Sequence, residues 1–407
     1  MLKKKEIKIS KIRNEFPILK KKINGYPLIY FDNASSNQKP KSVINSIKKY
    51  YENFNSNVHR SIHTLSEIST NALELTRKST QKLINANEPE EIIFTKNTTE
   101  GINLIASTYG REYVNNGDEI IISYMEHHSN IVPWQILCKE KKAILKIIPI
   151  DKNGDIDIKY FNKILTKKTK IVSIMHASNT IGSINPIEEI ISKSHKKNAK
   201  VLIDGAQSIS HLKIDVKKNN CDFFVFSANK VYGPTGVGVL YGKREILEKM
   251  PPYQFGGEMI KKVEILKSTY NEIPYKFESG TPNIANIIAF KESINFIKKI
   301  GINNIFNYEN KLLEYVTEKL KSIEKIKIIG SPNKKVSLVS FIVKNMHNLD
   351  VSILLDAKGI AIRNGHHCTQ PLMNKLKIEG TIRVSLSIYN TKEEIDYFIE
   401  NLKKIVK

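Results

Sequence analysis

The chain has 407 residues, long enough to bury a sizeable core and to fold as about two domains. Charged residues at 26% and hydrophobic ones at 41% are the balance of a soluble globular protein, and no apolar run approaches the roughly 20 residues that a membrane helix needs. The formal net charge of +23 would suit a nucleic-acid binder, but arginine occurs only at positions 13, 60, 77, 111, 244, 363 and 383. The remaining basic residues are lysines spread along the whole chain among many Ile and Asn, a pattern of codon bias and solvated surface, so no nucleic-acid partner is expected.

The start, Met1-Leu-Lys-Lys-Lys-Glu-Ile-Lys8, is charged but leads into no apolar signal-peptide core, so a cytoplasmic location is expected. From Pro40 to Tyr51 the residues Val43, Ile44, Ile47, Tyr50 and Tyr51 share one face of a predicted helix. Seven β-type runs follow: Ile92-Thr95, Glu119-Ser123, Leu145-Pro149, Ile171-Met175, Val201-Asp204, Phe223-Ser227 and Val237-Tyr241. Helical patterns between them imply a mostly parallel sheet covered on both faces. The last two runs are joined by the short turn Tyr232-Gly-Pro-Thr-Gly236, where the sheet is expected to turn antiparallel. Past residue 290 the pattern changes to helices near Ala289–Ile300 and Tyr308–Ile323, then strand-like runs at Ile326-Ile329, Val336-Val343, Ile360-Arg363 and Thr381-Leu386. The capping box Thr391-Lys-Glu-Glu394 opens a last helix. The reading is a large α/β domain followed by a smaller α+β domain.

Polar residues follow five of the seven strand runs, and open α/β sheets bind ligands at the carboxyl ends of their strands. Val201-Leu-Ile203 runs into Asp204-Gly-Ala-Gln207, and Phe223-Phe-Val-Phe226 into Ser227-Ala-Asn-Lys230. A partly buried lysine there is a candidate Schiff-base former, and the carboxylate could hold a protonated pyridine nitrogen. Together they suggest pyridoxal phosphate; the plain alternative is an Asp ending one strand and a Lys opening a loop. Asn97-Thr-Thr-Glu100 resembles a capping box, which would set Thr98, Thr99 and backbone N–H groups at a helix N-terminus, a ready anion site or a simple cap. Met125-Glu-His-His-Ser-Asn130 supplies His127, able to stack on a planar ring or shuttle a proton, and Ser178-Asn-Thr180 supplies Asn179. Three cysteines, 138, 221 and 368, lack any CxxC spacing, so neither a disulfide framework nor a structural zinc is expected and no metal site is assigned. Where lysine fills most basic positions, an arginine is a candidate for bidentate carboxylate binding.

Nine motifs in order carry a resemblance that runs nearly end to end. They are Phe31-Asp-Asn-Ala-Ser35 with Gln38-Lys-Pro40, Asn57-Val-His-Arg-Ser61, Phe94-Thr-Lys-Asn-Thr-Thr-Glu100, Met125-Glu-His-His128, Asp204-Gly-Ala-Gln207, Tyr232-Gly-Pro-Thr-Gly236, Gly256-Gly-Glu-Met259, Phe277-Glu-Ser-Gly-Thr-Pro282 and Arg363-Asn-Gly-His-His-Cys368. With them the chain resembles a group II (SUF-type) cysteine desulfurase, a fold-type-I pyridoxal phosphate enzyme of the class V aminotransferase family. The resemblance implies a large cofactor-binding domain over 31–290 with a seven-stranded, mostly parallel sheet. It implies a small C-terminal domain over 291–407 carrying a nucleophilic cysteine, and an N-terminal arm over 1–30 packing on it. It further implies a homodimer that converts L-cysteine to L-alanine and passes sulfur through a persulfide to an acceptor protein of the SUF system, for iron–sulfur cluster assembly.

Carried over by residue, Lys230 forms the Schiff base and transfers the substrate Cα proton, Asp204 holds the pyridine nitrogen, and His127 stacks on the ring. Gln207 and Asn179 lie near the phenolic oxygen, while Thr98, Thr99, Ser227 and, from the neighbouring subunit, Thr281 bind the phosphate. Arg383 clamps the substrate carboxylate with Asn179, and Arg60 and Arg363 lie at or beside the pocket. Cys368, flanked by Arg363, His366 and His367, takes the sulfur in an electropositive setting that favours its thiolate. Two departures stand out: Ala34-Ser-Ser36 replaces the family's Ala-Ala-Thr type of stretch, and Ala228-Asn229 replaces Gly-His before the lysine. Asn229 is expected to donate its amide to the phosphate in place of the histidine. The same scaffold also serves selenocysteine lyases and cysteine sulfinate desulfinases, which the motifs do not separate, and a basic nucleic-acid-binding protein is the remote alternative.

Overall fold

The computed structural model describes residues 8–407, so the charged start and the first part of the 1–30 segment lie outside the described residues. The seven strand runs form one sheet. They are β1 (Ile92–Thr95), β2 (Glu119–Ser123), β3 (Ile144–Ile148), β4 (Thr169–Met175), β5 (Lys200–Asp204), β6 (Phe223–Ser227) and β7 (Gly238–Gly242). Their order is β1-β7-β6-β5-β4-β2-β3, with only β7 antiparallel to its neighbours β1 and β6. Each central strand is apolar on both sides because each side meets a different core. Ile203, Phe224 and Phe226 enter one cluster and Leu202, Phe223 and Val225 the other.

One face is covered by helices α1 (Lys41–Asn53), α2 (Thr64–Ile84) and α4 (Ile284–Ile300), which pack on one another. The face expected for α1 is narrower than its sequence suggests: Val43 and Tyr50 are buried, whereas Ile44 and Tyr51 are exposed. Helix α3 (Thr98–Ile105) follows β1 and buries Ile102 and Leu104 in the other core. Among the described residues no helix is long and apolar enough to cross a membrane.

The C-terminal part has its own four-stranded antiparallel sheet, made of β8 (Ile326–Ile329), β9 (Leu338–Val343), β10 (Arg363–Gly365) and β11 (Thr381–Ser385) in the order β8-β9-β11-β10. Helices α5 (Ile302–Lys321) and α6 (Lys392–Ile405) close a third core over it, and the Thr391–Glu394 capping box is formed. The single strand expected at 360–363 is two. Ile360–Ala361 pairs in parallel with Ile29–Tyr30, and the chain then changes partner, so that Arg363 faces Arg383 across β10 and β11. The N-terminal segment is tied to the same end: Arg13 Nη1 donates to the Tyr389 carbonyl at 2.8 Å and Nη2 pairs with Glu394 at 2.5 Å.

A buried ion pair joins α2 to the sheet. Arg77, 1% exposed, donates Nη1 and Nη2 to the two carboxylate oxygens of Glu278 at 2.7 and 2.9 Å, donates Nε to Glu74 at 2.9 Å, and lies over the Phe94 ring. Glu278 also accepts from the Phe94 N–H at 2.7 Å, at the strand that leads into α3. Removing one partner of a buried pair leaves an uncompensated charge, at a cost of about 3–5 kcal/mol. Arg77→Met is therefore expected to lower unfolding stability by about that amount in denaturant titration. Arg77→Lys should recover only part of it, because an ammonium cannot span both carboxylate oxygens.

Candidate active site

The carboxyl ends of β1, β2, β4, β5 and β6 converge on one cavity of about 160 Å³, lined by Thr98, Thr99, His127, Ser129, Asn179, Asp204, Gln207, Ser227 and Lys230 among others. One wall is the N-terminus of α3. Asn97 caps it, its side chain accepting from the Glu100 N–H at 2.9 Å. The reciprocal half of the expected capping box is absent, because the Glu100 carboxylate accepts from the Lys96 N–H instead, at 2.5 Å. The Thr98 N–H donates to Ser227 Oγ at 2.8 Å and the two hydroxyls meet at 2.7 Å, so β6 and the helix N-terminus are locked together. Gly238 makes this possible: a Cβ there would sit 2.5 Å from the Asn97 backbone.

Asp204 and Lys230 both border the cavity. Asp204 is 4% exposed and spends Oδ1 on the Ala206 N–H at 2.9 Å; burial raises its carboxyl above the ordinary value, opposed by that bond and by Lys230. Burial pushes the Lys230 ammonium down to about 8, with Arg383 and Arg363 lowering it further and Asp204 and Cys368 pulling it back up. His127 is held neutral, pushed down to about 3 by burial and by the charges of Lys230 and its neighbours. Its Nδ1 accepts from the Ser129 N–H at 3.2 Å, so the ring proton sits on Nε2. Ser129 had no role in the sequence reading; a serine two residues after a strand-end histidine was the available signal.

Behind this wall lies the fully buried Glu126. It bonds Ser123 Oγ at 2.5 Å, Asn130 Nδ2 at 2.7 Å and the Met175 N–H at 2.9 Å, so it ties the His127 turn to the end of β4. Burial raises its carboxyl from about 4.5 to about 8. The folded value is the higher one, so the folded state binds the extra proton, and its stabilising contribution is complete below about pH 4.5 and lost as pH rises to about 8. Glu126→Gln mimics the protonated form. It should unfold at the same denaturant concentration as the parent near pH 4.5 and at a higher one near pH 9.

Cys368 does not line the cavity; it sits on a short loop above it. His367 and Cys368 have φ of +52° and +58°, left-handed conformations that cost about 1–3 kcal/mol each and require support. The support comes from the cavity's own elements. The His128 N–H donates to the Cys368 carbonyl and Asn179 Nδ2 to the His367 carbonyl, both at 2.8 Å, and Thr180 and Thr369 hydroxyls meet at 2.9 Å. The electropositive setting expected around Cys368 is narrower than the sequence suggests. His367 is buried, with Nε2 on Thr381 Oγ1, and burial plus Arg383 and Arg363 push it down to about 2, so it carries no charge. The other two cysteines are buried, as expected of core residues.

Arg383 is 2% exposed and reaches the same region from β11, donating Nη1 to the Asn179 carbonyl and Nη2 to Asp32 and Ser35, each at 2.8 Å. Arg363 Nη1 donates to the same Ser35 hydroxyl at 2.8 Å. Gln207 Nε2 donates to the Ala34 carbonyl at 2.8 Å. Three expected residues are elsewhere. Asn229 does not line the cavity: the turn Ala228–Lys230 sends the lysine inward and the asparagine sideways, where Nδ2 donates to the Ser35 carbonyl at 3.3 Å. Its amide is therefore engaged with the Ser35 carbonyl and not with the cavity wall. Thr281 borders a separate cavity with Gly236, Tyr253 and Glu278, and Arg60 is half exposed and paired with Glu258 at 3.1 Å.

Comparison with known proteins agrees with this arrangement. The profile described as "Aminotransferase class-V" matches residues 29–398. The chain is 50% identical over 401 residues to the cysteine desulfurase of Wigglesworthia glossinidia brevipalpis, covering 98% of both chains. It is 48% identical over 393 residues to a probable cysteine desulfurase of Halalkalibacterium halodurans, covering 97% of both. Among solved structures it resembles the apo cysteine desulfurase of Thermococcus onnurineus NA1 with a TM-score of 0.93 and 37% identity, and the cysteine desulfurase CsdA of Escherichia coli with 0.92 and 32%, each covering 98% of both chains. A lysine and an aspartate at the strand ends of a seven-stranded sheet, a helix N-terminus beside them and a supported cysteine above thus occur on a shared scaffold, and the chain belongs to the class-V aminotransferase family, among its cysteine desulfurases.

Proposed function

We propose that this chain is a pyridoxal-phosphate-dependent cysteine desulfurase that converts L-cysteine to L-alanine and delivers the sulfur to iron–sulfur cluster assembly. The observation that carries the reading is the placement of Cys368: its loop is bonded to the elements that line the Lys230–Asp204 cavity, next to two arginines. The residues present fit the cofactor. The cavity joins a carboxylate, a lysine of lowered basicity, a neutral imidazole and a helix N-terminus, and Asn179 Oδ1 and Arg383 Nε are buried with no partner among the described residues.

In this reading Lys230 carries the cofactor, which when bound supplies an electron sink for the substrate's Cα. Asp204 holds the pyridine nitrogen, His127 lies against the ring, and Thr98, Thr99 and Ser227 take the phosphate at the α3 N-terminus. Arg383 and Arg363 orient the substrate carboxylate. Lys230, with a pKa of about 8, holds or releases a proton at the Cα near neutral pH. The Cys368 thiolate attacks the substrate sulfur: the S–S bond forms, the Cβ–S bond breaks, and its electron pair stays on the carbon that takes a proton and becomes the alanine methyl. Residues 31–290 are then the cofactor-binding part, 291–407 the part bearing Cys368 and Arg383, and the described residues 8–30 belong to an arm on the latter. We assign the chain to the SUF-type branch, acting in the cytoplasm as a homodimer. In that dimer Thr281 completes the neighbour's site, Arg60 lies at a pocket mouth, and an acceptor protein docks to take the sulfur. The short, bonded Cys368 loop supports docking over free diffusion. Cofactor-loaded protein given L-cysteine and a reductant should release alanine and sulfide in equal amounts; alanine without sulfide, or neither, overturns the reading.

A further inference from the structure

We infer that Ser35 is a positioning residue for the substrate carboxylate, its hydroxyl bridging Arg363 and Arg383 while Asn229 steadies it from the lysine side. The inference deepens the desulfurase reading and rests on it. A serine hydroxyl has one proton and two lone pairs, and all three are used here. Ser35 Oγ donates to Asp32 Oδ1 at 2.6 Å and accepts from Arg363 Nη1 and Arg383 Nη2 at 2.8 Å each. Asp32 also pairs with Arg383 Nη2 at 2.8 Å. Two guanidinium groups that would otherwise repel are thereby held on one hydroxyl, with a single carboxylate, Asp32, paired to Arg383 and bonded to that hydroxyl. The cluster keeps a net positive charge and one buried guanidinium N–H, Arg383 Nε, without a partner among the described residues. That is the complement of one amino-acid carboxylate.

The dependence is unequal. Arg383 is pinned by Asn179 and Asp32 as well as by Ser35, whereas the Arg363 side chain has no hydrogen-bond partner except Ser35 among the described residues. The turn that presents Ser35 is itself held from three directions. Gln207 donates to the Ala34 carbonyl, Ser385 Oγ accepts from the Ala34 N–H at 2.9 Å, and Asn229 donates to the Ser35 carbonyl. The two stretches where the sequence departs from its family thus touch each other, Asn229 of one donating to the Ser35 carbonyl of the other. Together they connect the lysine turn to the arginine pair, which gives Asn229 a use other than phosphate binding.

Ser35→Ala removes a hydrogen bond to each of two charged groups. It should raise KM for L-cysteine about tenfold while kcat changes less than about twofold, since the carboxylate is gripped alike before and during reaction. Ser35→Thr keeps the hydroxyl and should return KM to within about threefold of the parent. The dissociation constant of L-alanine, read from the visible spectrum of the cofactor-loaded protein, should rise by the same factor as KM. Asn229→Ala should raise KM about threefold, leave cofactor affinity unchanged, and add nothing in the Ser35→Ala background. Unchanged KM and alanine binding in Ser35→Ala would overturn the proposal, as would an Asn229→Ala variant that loses cofactor with KM intact. Failure of the desulfurase reading shows separately, as parent protein that makes no alanine from L-cysteine, and the alanine titration still reads the arginine pair.

Discussion

Lys230→Ala is expected to lose at least about a thousandfold in sulfide release, the scale of a positioned acid–base group and more. The visible band of lysine-bound cofactor should vanish with it, although Thr98, Thr99, Ser227 and the α3 N-terminus can still hold the phosphate. Among the described residues no other lysine lines the cavity, so none of them can substitute. Borohydride reduction of the loaded parent followed by peptide mapping should place the label on Lys230, and a label elsewhere sinks the assignment. The lysine's environment adds a pH signature. A carbonyl reacts with the neutral amine, and Lys230 loses its proton near 8 because burial and two arginines disfavour the ammonium. Cofactor uptake by the cofactor-free protein should therefore rise with pH and level off above about 8, whereas an ordinary lysine would go on gaining to about 10.4. A plateau only near the higher value would mean that the cavity does not tune its lysine.

The features legible in the sequence are those written in consecutive residues. Strands β1, β2 and β6 coincide with their apolar runs and the other four lie within two residues of them, because strands buried on both faces need unbroken apolar stretches. A parallel sheet then brings its carboxyl ends together, so Asp204, Lys230, His127, Asn179 and Thr99 could be placed in one row before any coordinates. Features set by contacts across hundreds of residues left no such trace. Ser35 meets Arg363 and Arg383 from more than three hundred residues away, and nothing in Ala34-Ser-Ser36 announces them. The charge of His367 was misjudged for a related reason: sequence proximity to Cys368 suggested a cation, while burial against β11 removes the proton. Asn229 shows the effect of a turn, since a one-residue step along Ala228–Lys230 separates the cavity-lining lysine from an amide that meets Ser35. Arg363 changed strand because Ile360–Ala361 is taken by Ile29–Tyr30, a pairing that begins near the other end of the chain.

Cys368→Ser is expected to bind L-cysteine, shown by a spectral change of the loaded protein, yet to release sulfide at least about a hundredfold more slowly than the parent. The loop argues that this loss is chemical and not structural. Its bonds use the main chain of Cys368: the carbonyl accepts from the His128 N–H at 2.8 Å and the N–H donates to His366 Nδ1 at 3.1 Å. A serine keeps both and meets the same left-handed backbone, so the loop and the Asn179 and Arg383 contacts beneath it should survive. What changes is the nucleophile, because a hydroxyl stays protonated near neutral pH and sulfur transfer requires a thiolate. Cys138 and Cys221 cannot take over. Burial pushes their thiols up to about 11 and about 12, and both lie in the core away from the cavity. After one round of L-cysteine without reductant, the parent should carry its extra sulfur on the peptide containing Cys368, and the variant should carry none. A Cys368→Ser enzyme that releases sulfide at the parental rate would place the sulfur acceptor outside this loop, and the two left-handed residues, His367 and Cys368, would then need another explanation.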